Sequence, residues 1–327
     1  MPHILVAGKL HPSGVALLHD ATRRGFTFDY IEEVSEPSYA PLIHRADALV
    51  IRTQPLSAAT VALANRLRVV SRHGVGYDAV DLPALNTRDI TLTIVGDVNS
   101  VSVAEHTMML LLSAAKRVLR GDNSVRNPAH WGWRNQLEAS ELSGKNFLII
   151  GYGRIGRQVA RLALAFDMNV RALDPYLASK GWPEGPVAPV TNLAEGLAWA
   201  DAITLNVPRA DQPLIGAAEL AAMRPGAILI NTARGGIVDE AALADALRSG
   251  HIAAAGLDVF DVEPPTAANP FIGLDQVVLS PHIAGLTAEC AERMAIMSVQ
   301  NVIDYFDGTL DSALVINTFR PTTEKSA

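Results

Sequence analysis

An α/β protein with two parallel-sheet domains is what this sequence predicts, and three observations carry the prediction. Short apolar runs of strand length alternate with helical stretches along the chain. A glycine-rich segment, Gly151-Tyr152-Gly153-Arg154-Ile155-Gly156, stands directly between one such strand and one such helix. The chain has 327 residues, long for a single core, so two domains are expected.

In the first part, residues 3–7, 26–30, 48–51, 69–71 and 90–94 read as strands. Residues 13–21, 41–45, 57–65 and 81–87 read as the helices between them, with Ser57 and Asp81 placed as N-caps. This alternation predicts a small parallel sheet. Within it, Arg72-His73-Gly74-Val75-Gly76-Tyr77-Asp78 follows a strand. Its two glycines either let backbone N–H groups converge on an anion, such as a substrate carboxylate, or make an ordinary strand-to-helix turn. A long helix over 101–119 is apolar on nearly every side through Met108, Met109, Leu111, Leu112 and Ala115, which predicts burial or a subunit interface. On it, Glu105-His106 reads as a hydrogen-bonded structural histidine rather than a metal or acid/base pair. Residues 127–134 read as a loop carrying two of the four tryptophans, either for a protein contact or to cover a core edge.

The second part opens on the strand 146–150, and the glycine segment follows at once. Residues 157–166 read as a helix with Val159, Leu162, Ala163 and Phe166 on one stripe, and the next strand, 169–173, ends at Asp174. This is the context a dinucleotide-binding turn requires. Gly151 makes the tight turn, Gly153 admits the pyrophosphate to the backbone, and Gly156 lets helix and strand pack. The helix N-terminus then offers unpaired N–H groups and a positive dipole end to the phosphates, and Arg154 and Ile155 of the turn are expected to contact the cofactor. Asp174 lies 23 positions after Gly151, where a carboxylate accepts bonds from the adenosine ribose and repels a 2′-phosphate, so NAD is expected over NADP. Strands at 202–205, 227–231, 252–257 and 277–279 bring this sheet to six, with helices at 193–199, 217–223 and 239–249. A last helix over 287–306 is expected to return to the first domain, and 321–327 reads as a disordered tail.

Composition narrows the function. A net charge of −7 with no run of Lys and Arg argues against a nucleic-acid partner. The start, Met1-Pro2-His3-Ile4-Leu5, lacks a basic region, so no secretion signal is expected, and the apolar run 108–112 is far short of a membrane span. Cys290 is the lone cysteine, which rules out an internal disulfide, suits a reducing cytoplasm and reads as a packed thiol. No metal site is expected.

Three ionisable residues fall just beyond strand ends, where open α/β sheets bind ligands: Arg234, Glu263 and His282. Reduction of a 2-oxo acid needs this set. A guanidinium grips the carboxylate bidentately, an imidazole exchanges a proton near neutral pH, and a carboxylate beside it favours its protonated form and fixes its ring.

With these residues in place the chain resembles the D-isomer-specific 2-hydroxyacid dehydrogenases, near the phosphoglycerate dehydrogenase branch. The matching segments include Arg72-His73-Gly74-Val75-Gly76, Ser102-Val103-Ala104-Glu105-His106, the glycine turn, Asn231-Thr232-Ala233-Arg234-Gly235-Gly236, Gly256-Leu257-Asp258-Val259-Phe260 with Glu263-Pro264, and Ser280-Pro281-His282-Ile283-Ala284-Gly285. The resemblance implies a Rossmann NAD-binding domain, residues 100–285, inserted into a smaller flavodoxin-like substrate domain, residues 1–99 and 286–327. It also implies an active site in the cleft and a homodimer joined through the nucleotide domain. By the same resemblance Arg234 grips substrate, His282 is the acid/base and Glu263 pairs with it. Arg52, His73, Gly74, Val75 and Gly76 join Arg234 in binding substrate. Asn206, Pro208, Thr232, Ala233, Asp258 and His282 join the glycine turn and Asp174 in binding NAD, with Asp258 holding the nicotinamide amide. Glu263 argues against the formate dehydrogenase branch, which carries Gln in that role.

Two departures matter. Asn206-Val207-Pro208 stands where relatives often place a histidine, and no C-terminal serine-sensing domain is expected after residue 327, so feedback by serine is not expected either. Arg52 and Arg134 either favour a phosphorylated substrate or are solvated charges. The competing class is an NAD-responsive corepressor of the same fold, against which the complete Arg, Glu and His set speaks.

Overall fold

The computed structural model describes residues 1–317; the tail expected at 321–327 lies outside the described residues. The chain divides into two compact units, residues 1–99 with the chain from Leu286 onward, and residues 100–285.

The first unit alternates strand and helix: β1 (His3–Ala7), α1 (Pro12–Thr22), β2 (Thr27–Ile31), α2 (Glu36–Tyr39), β3 (Ala48–Ile51), α3 (Ala58–Leu63), β4 (Val69–Arg72), α4 (Leu82–Thr87) and β5 (Thr91–Thr93). The strands are all parallel, in the order β2-β1-β3-β4-β5. Because side chains alternate along a strand, one face packs Leu5, Leu49, Ile51 and Val70 against Tyr39, Ile43 and Leu85. The other packs Ile4, Val6 and Val50 against Leu18, Val299 and Val302. Both faces are covered, as parallel sheets require. Ser57 and Asp81 cap α3 and α4 as expected, accepting from the backbone N–H groups of Thr60 and Ala84.

The second unit runs α5 (Ser100–Lys116), α6 (Val118–Arg126), β6 (Asn146–Ile150), α7 (Arg154–Ala165), β7 (Asn169–Leu173), α8 (Pro175–Lys180), β8 (Ala188–Pro189), α9 (Leu193–Trp199), β9 (Ala202–Leu205), α10 (Ala217–Ala222), β10 (Ala227–Asn231), α11 (Glu240–Arg248), β11 (Ile252–Leu257) and β12 (Val277–Leu279). Its parallel sheet has seven strands, β12-β11-β10-β9-β6-β7-β8, one more than the six expected. The extra strand, β8, is two residues long and contains Pro189, so it carries no periodicity to read. The order reverses direction at β6 and β9, the switch point at whose carboxyl end a dinucleotide binds. The closing helix of the first unit is α12 (Ala288–Asp307).

Three expected elements differ, the first being the helix expected over 41–45, which is a 3-10 helix, Ala40–Arg45. The helix expected over 101–119 ends at Lys116, because Arg117 takes a left-handed conformation, φ 53°. Its guanidinium is anchored on the Ala253 carbonyl at 2.8 Å, and α6 begins at the next residue. The loop expected at 127–134 is a 3-10 helix, Pro128–Gln136, started by proline. Helix α5 buries Val103, Leu110, Leu111 and Ala114. Cys290 is buried, with its Sγ 3.5 Å from the Val98 carbonyl.

Candidate active site

The glycine turn leaves β6 and enters α7, and its backbone explains each glycine. Gly151 has φ +91°, and a Cβ there would lie 2.4 Å from the Asn206 carbonyl oxygen. A Cβ on Gly156 would lie 2.2 Å from the Gly151 carbonyl oxygen. Gly153 faces open space and caps α7 with no side chain, so the N–H groups at Arg154 and Ile155 begin the helix uncovered. Asp174 closes β7, its carboxylate accepting from Tyr152 N at 2.9 Å and Leu177 N at 3.1 Å. Each oxygen keeps a second lone pair for a ribose hydroxyl. Both polar atoms of the Asn206 amide are buried beside this turn with no protein partner. An open approach at Gly153, an uncapped helix end, an unsatisfied amide and a fixed carboxylate together fit NAD.

The chemical groups follow the adjacent strands β10, β11 and β12. After β10, the Asn231 side chain folds the loop back on itself: Oδ1 accepts from Ala233 N at 3.0 Å, and Nδ2 donates to the Arg234 carbonyl at 2.9 Å. Gly235 passes so close to the exit of β11 that a Cβ would lie 1.9 Å from the Phe260 carbonyl oxygen. These contacts aim Arg234, whose Nη1 donates to the Ala233 carbonyl at 2.7 Å. After β11, Glu263 reaches back, Oε1 accepting from Phe260 N at 3.0 Å and Oε2 lying 2.7 Å from His282 Nδ1. His282, after β12, holds φ 53°, a left-handed conformation worth about 1–3 kcal/mol of strain in a non-glycine residue. With Nδ1 committed to Glu263, Nε2 is the nitrogen left for proton exchange.

Asp258, at the end of β11, is 0% exposed, and its carboxylate serves the His282 loop. Oδ1 accepts from Ser280 Oγ at 2.6 Å and Ile283 N at 2.9 Å, and Oδ2 accepts from Ala284 N at 2.8 Å. Burial works against its charged form, but the bonds from His106, Ser280, Ile283 and Ala284 outweigh it and hold the carboxyl below the usual range. Asp258 thus anchors the His282 loop, and its expected contact with the nicotinamide amide is a proposal beside that task. His106, read as a structural histidine, places Nε2 2.8 Å from Ser280 Oγ. Ser280 was visible in the Ser280-Pro281-His282 motif, but nothing in the sequence tied it to His106.

In the first unit the expected substrate residues follow β3 and β4. Arg52 donates to the Lys9 carbonyl at 2.7 Å, and its Nε is buried without a partner. His73 is 6% exposed with Nε2 unpartnered. Burial, helped by the Arg52 charge, pushes its ring down to about 3, so His73 stays neutral at ordinary pH. Gly74, φ +144°, lies against the Arg72 guanidinium and leads into Val75 and Gly76. Arg134 stacks on Trp131 at 5.5 Å. Among the described residues there is no cluster of three metal-ligating side chains and no helix long and apolar enough to cross a membrane.

The doubly wound sheet, its glycine turn and the strand-end Arg, Glu and His define a nucleotide-binding protein of dehydrogenase type. Residues 108–284 match the family model of the D-isomer specific 2-hydroxyacid dehydrogenase, NAD binding domain. A glyoxylate reductase of Aeropyrum pernix is 34% identical over 333 residues, covering 96% of this chain and 96% of that one. A D-3-phosphoglycerate dehydrogenase of Mycobacterium leprae is 38% identical over 296 residues, covering 90% of this chain and 54% of that one. The chain therefore spans about half the length of the phosphoglycerate dehydrogenases it matches. The solved TT0316 protein of Thermus thermophilus superposes with a TM-score of 0.85 at 32% identity, covering 94% of this chain and 98% of that one. The chain belongs to the D-isomer specific 2-hydroxyacid dehydrogenases.

Proposed function

We propose that the protein exchanges hydride between NAD(H) and a small 2-oxo or 2-hydroxy acid of the phosphoglycerate, hydroxypyruvate or glyoxylate type. The observation that carries this reading is the 2.7 Å pair of His282 and Glu263, set at the strand ends beside the Arg234 loop in the NAD-binding unit. Arg234 grips the substrate carboxylate with two parallel N–H bonds and draws electron density from the neighbouring carbonyl. When bound, NADH supplies the hydride that reaches the carbonyl carbon. His282 gives the Nε2 proton to the carbonyl oxygen as its charge grows, and the 2-oxo acid leaves as the 2-hydroxy acid. In the reverse direction neutral His282 takes the hydroxyl proton. Glu263 fixes the ring by Nδ1 and balances the imidazolium charge. In the first unit, Val75 and Gly76 offer backbone N–H groups of the kind that bind a carboxylate.

Asp174 supports a preference for NADH over NADPH, since its carboxylate repels a 2′-phosphate. The exposed apolar side chains Val118, Leu119, Val125, Trp131 and Leu137 support a homodimer joined through this unit. The buried lone Cys290 suits a reducing cytoplasm. The test is NADH oxidation with glyoxylate, hydroxypyruvate, pyruvate, 2-oxoglutarate and phosphohydroxypyruvate. Turnover of at least one acid, faster with NADH than NADPH, is expected. A protein that binds NADH tightly and reduces none of them is a binding protein instead.

A further inference from the structure

One turn of α5 touches both loops that carry the chemistry. Ser280 has a single hydroxyl proton, and its 2.6 Å bond places that proton on Asp258 Oδ1, a carboxylate that only accepts. The Ser280 oxygen must then accept from His106 Nε2 at 2.8 Å, which makes Nε2 the protonated nitrogen of His106. Asp258 in turn grips both residues after His282 through their N–H groups, and its own carbonyl accepts from His282 N at 2.8 Å. The next residue, Thr107, donates Oγ1 to the Val103 carbonyl at 2.8 Å, so that Oγ1 accepts from Thr232 at 2.9 Å. Ser280 lies two residues before His282, and Thr232 two residues before Arg234.

We propose that His106 and Thr107 are positioning residues, His106 setting the proton-exchanging arm through Ser280 and Thr107 setting the carboxylate-gripping arm through Thr232. Neither touches the reacting atoms. The left-handed backbone of His282 persists only where its surroundings over-determine it, and the chain from His106 through Ser280 to Asp258 supplies that constraint. Helix α5 also packs on β10 and β11, so it is a rigid ruler between the two arms.

The inference rests on the proposed hydride-transfer reading. The experiment compares His106→Leu, His106→Gln, Ser280→Ala and Thr107→Val with the parent, using the 2-oxo acid the parent reduces fastest. Displacing a reacting group by about 1 Å costs on the order of 100-fold. His106→Leu and Ser280→Ala are therefore expected to lower kcat by about 10- to 100-fold, with KM and the NADH Kd little changed. Gln places an amide N–H near the position of Nε2, so His106→Gln should recover most of the loss. Thr107→Val should raise KM for the acid and leave kcat near the parent. Parent kcat in both His106→Leu and Ser280→Ala, or a His106→Gln variant no better than His106→Leu, overturns the proposal. If the parent reduces none of the acids, hydride transfer fails as the function, and the His282 ring signals in 1H–15N spectra decide the positioning. A shift in His106→Leu that His106→Gln reverses supports it, and unchanged signals overturn it.

Discussion

In the proposed reaction His282 and Glu263 divide the work between two ring nitrogens, Nδ1 paired with Glu263 and Nε2 open to the substrate. Reduction draws on the imidazolium and oxidation on the neutral ring, so kcat/KM for reduction should fall as pH rises while kcat/KM for oxidation climbs. Measuring both directions over one pH series checks this, and parallel profiles would contradict it. His282→Ala should lower kcat/KM by about 10²- to 10⁴-fold, the range of a positioned general acid, with the NADH Kd unchanged. Arg234, Glu263 and His282 were legible because the chemistry of 2-oxo acid reduction calls for those residue types at strand ends. The loop-anchoring bonds of Asp258 were not legible, because that hydrogen-bond network links residues far apart in sequence. Its 0% exposure and the donors on its carboxylate are facts of folding alone.

At the scale of elements, the glycine turn separates binding from stability. Gly153 has open space where a Cβ would go, whereas Gly156 would meet the Gly151 carbonyl oxygen at 2.2 Å. Gly153→Ala should therefore keep the parent Tm and weaken NADH binding, by crowding the pyrophosphate. Gly156→Ala overpacks the helix against the turn, at about 1–3 kcal/mol, and should lower Tm by several degrees in a thermal scan. Equal Tm values in the two variants would contradict this assignment. Strands such as His3–Ala7 and Ala202–Leu205 were readable end to end because each is a short apolar run between breakers. The break at Arg117 was not, because a left-handed residue held by a distant carbonyl leaves no local signal. Helix α8 did leave one, the Asp174-Pro175 pair, with Asp174 accepting from Leu177 N as N-cap and proline following. The same residue also fits the position expected of a ribose-binding carboxylate, and one residue type served both readings.

Over the whole molecule, the two units respond to different ligands. All four tryptophans, Trp131, Trp133, Trp182 and Trp199, lie within residues 100–285, so their fluorescence reports on the NAD-binding unit. Saturating NADH should raise the unfolding temperature seen by tryptophan, since a ligand that binds only the folded unit stabilises it by mass action. Protons act on the other unit through His73. Its folded ring titrates at about 3, below the ~6.5 of the unfolded chain. The unfolded state therefore binds the extra proton between those values, and stability present above pH ~6.5 is lost as pH falls toward 3. Circular dichroism melts from pH 7 to 4 should show this loss, and His73→Gln should flatten it. An unchanged slope in the variant would show that His73 does not set the acid sensitivity.

In the proposed reaction hydride passes between NADH and C2 of a 2-oxo acid to give the D-hydroxy acid. NADH deuterated at the transferable C4 position, incubated with hydroxypyruvate and the protein, tests it directly by mass spectrometry and chiral analysis of the product. The expected product is D-glycerate carrying one deuterium at C2, formed far more slowly by His282→Ala. Unlabelled glycerate, or the L-isomer, would contradict it.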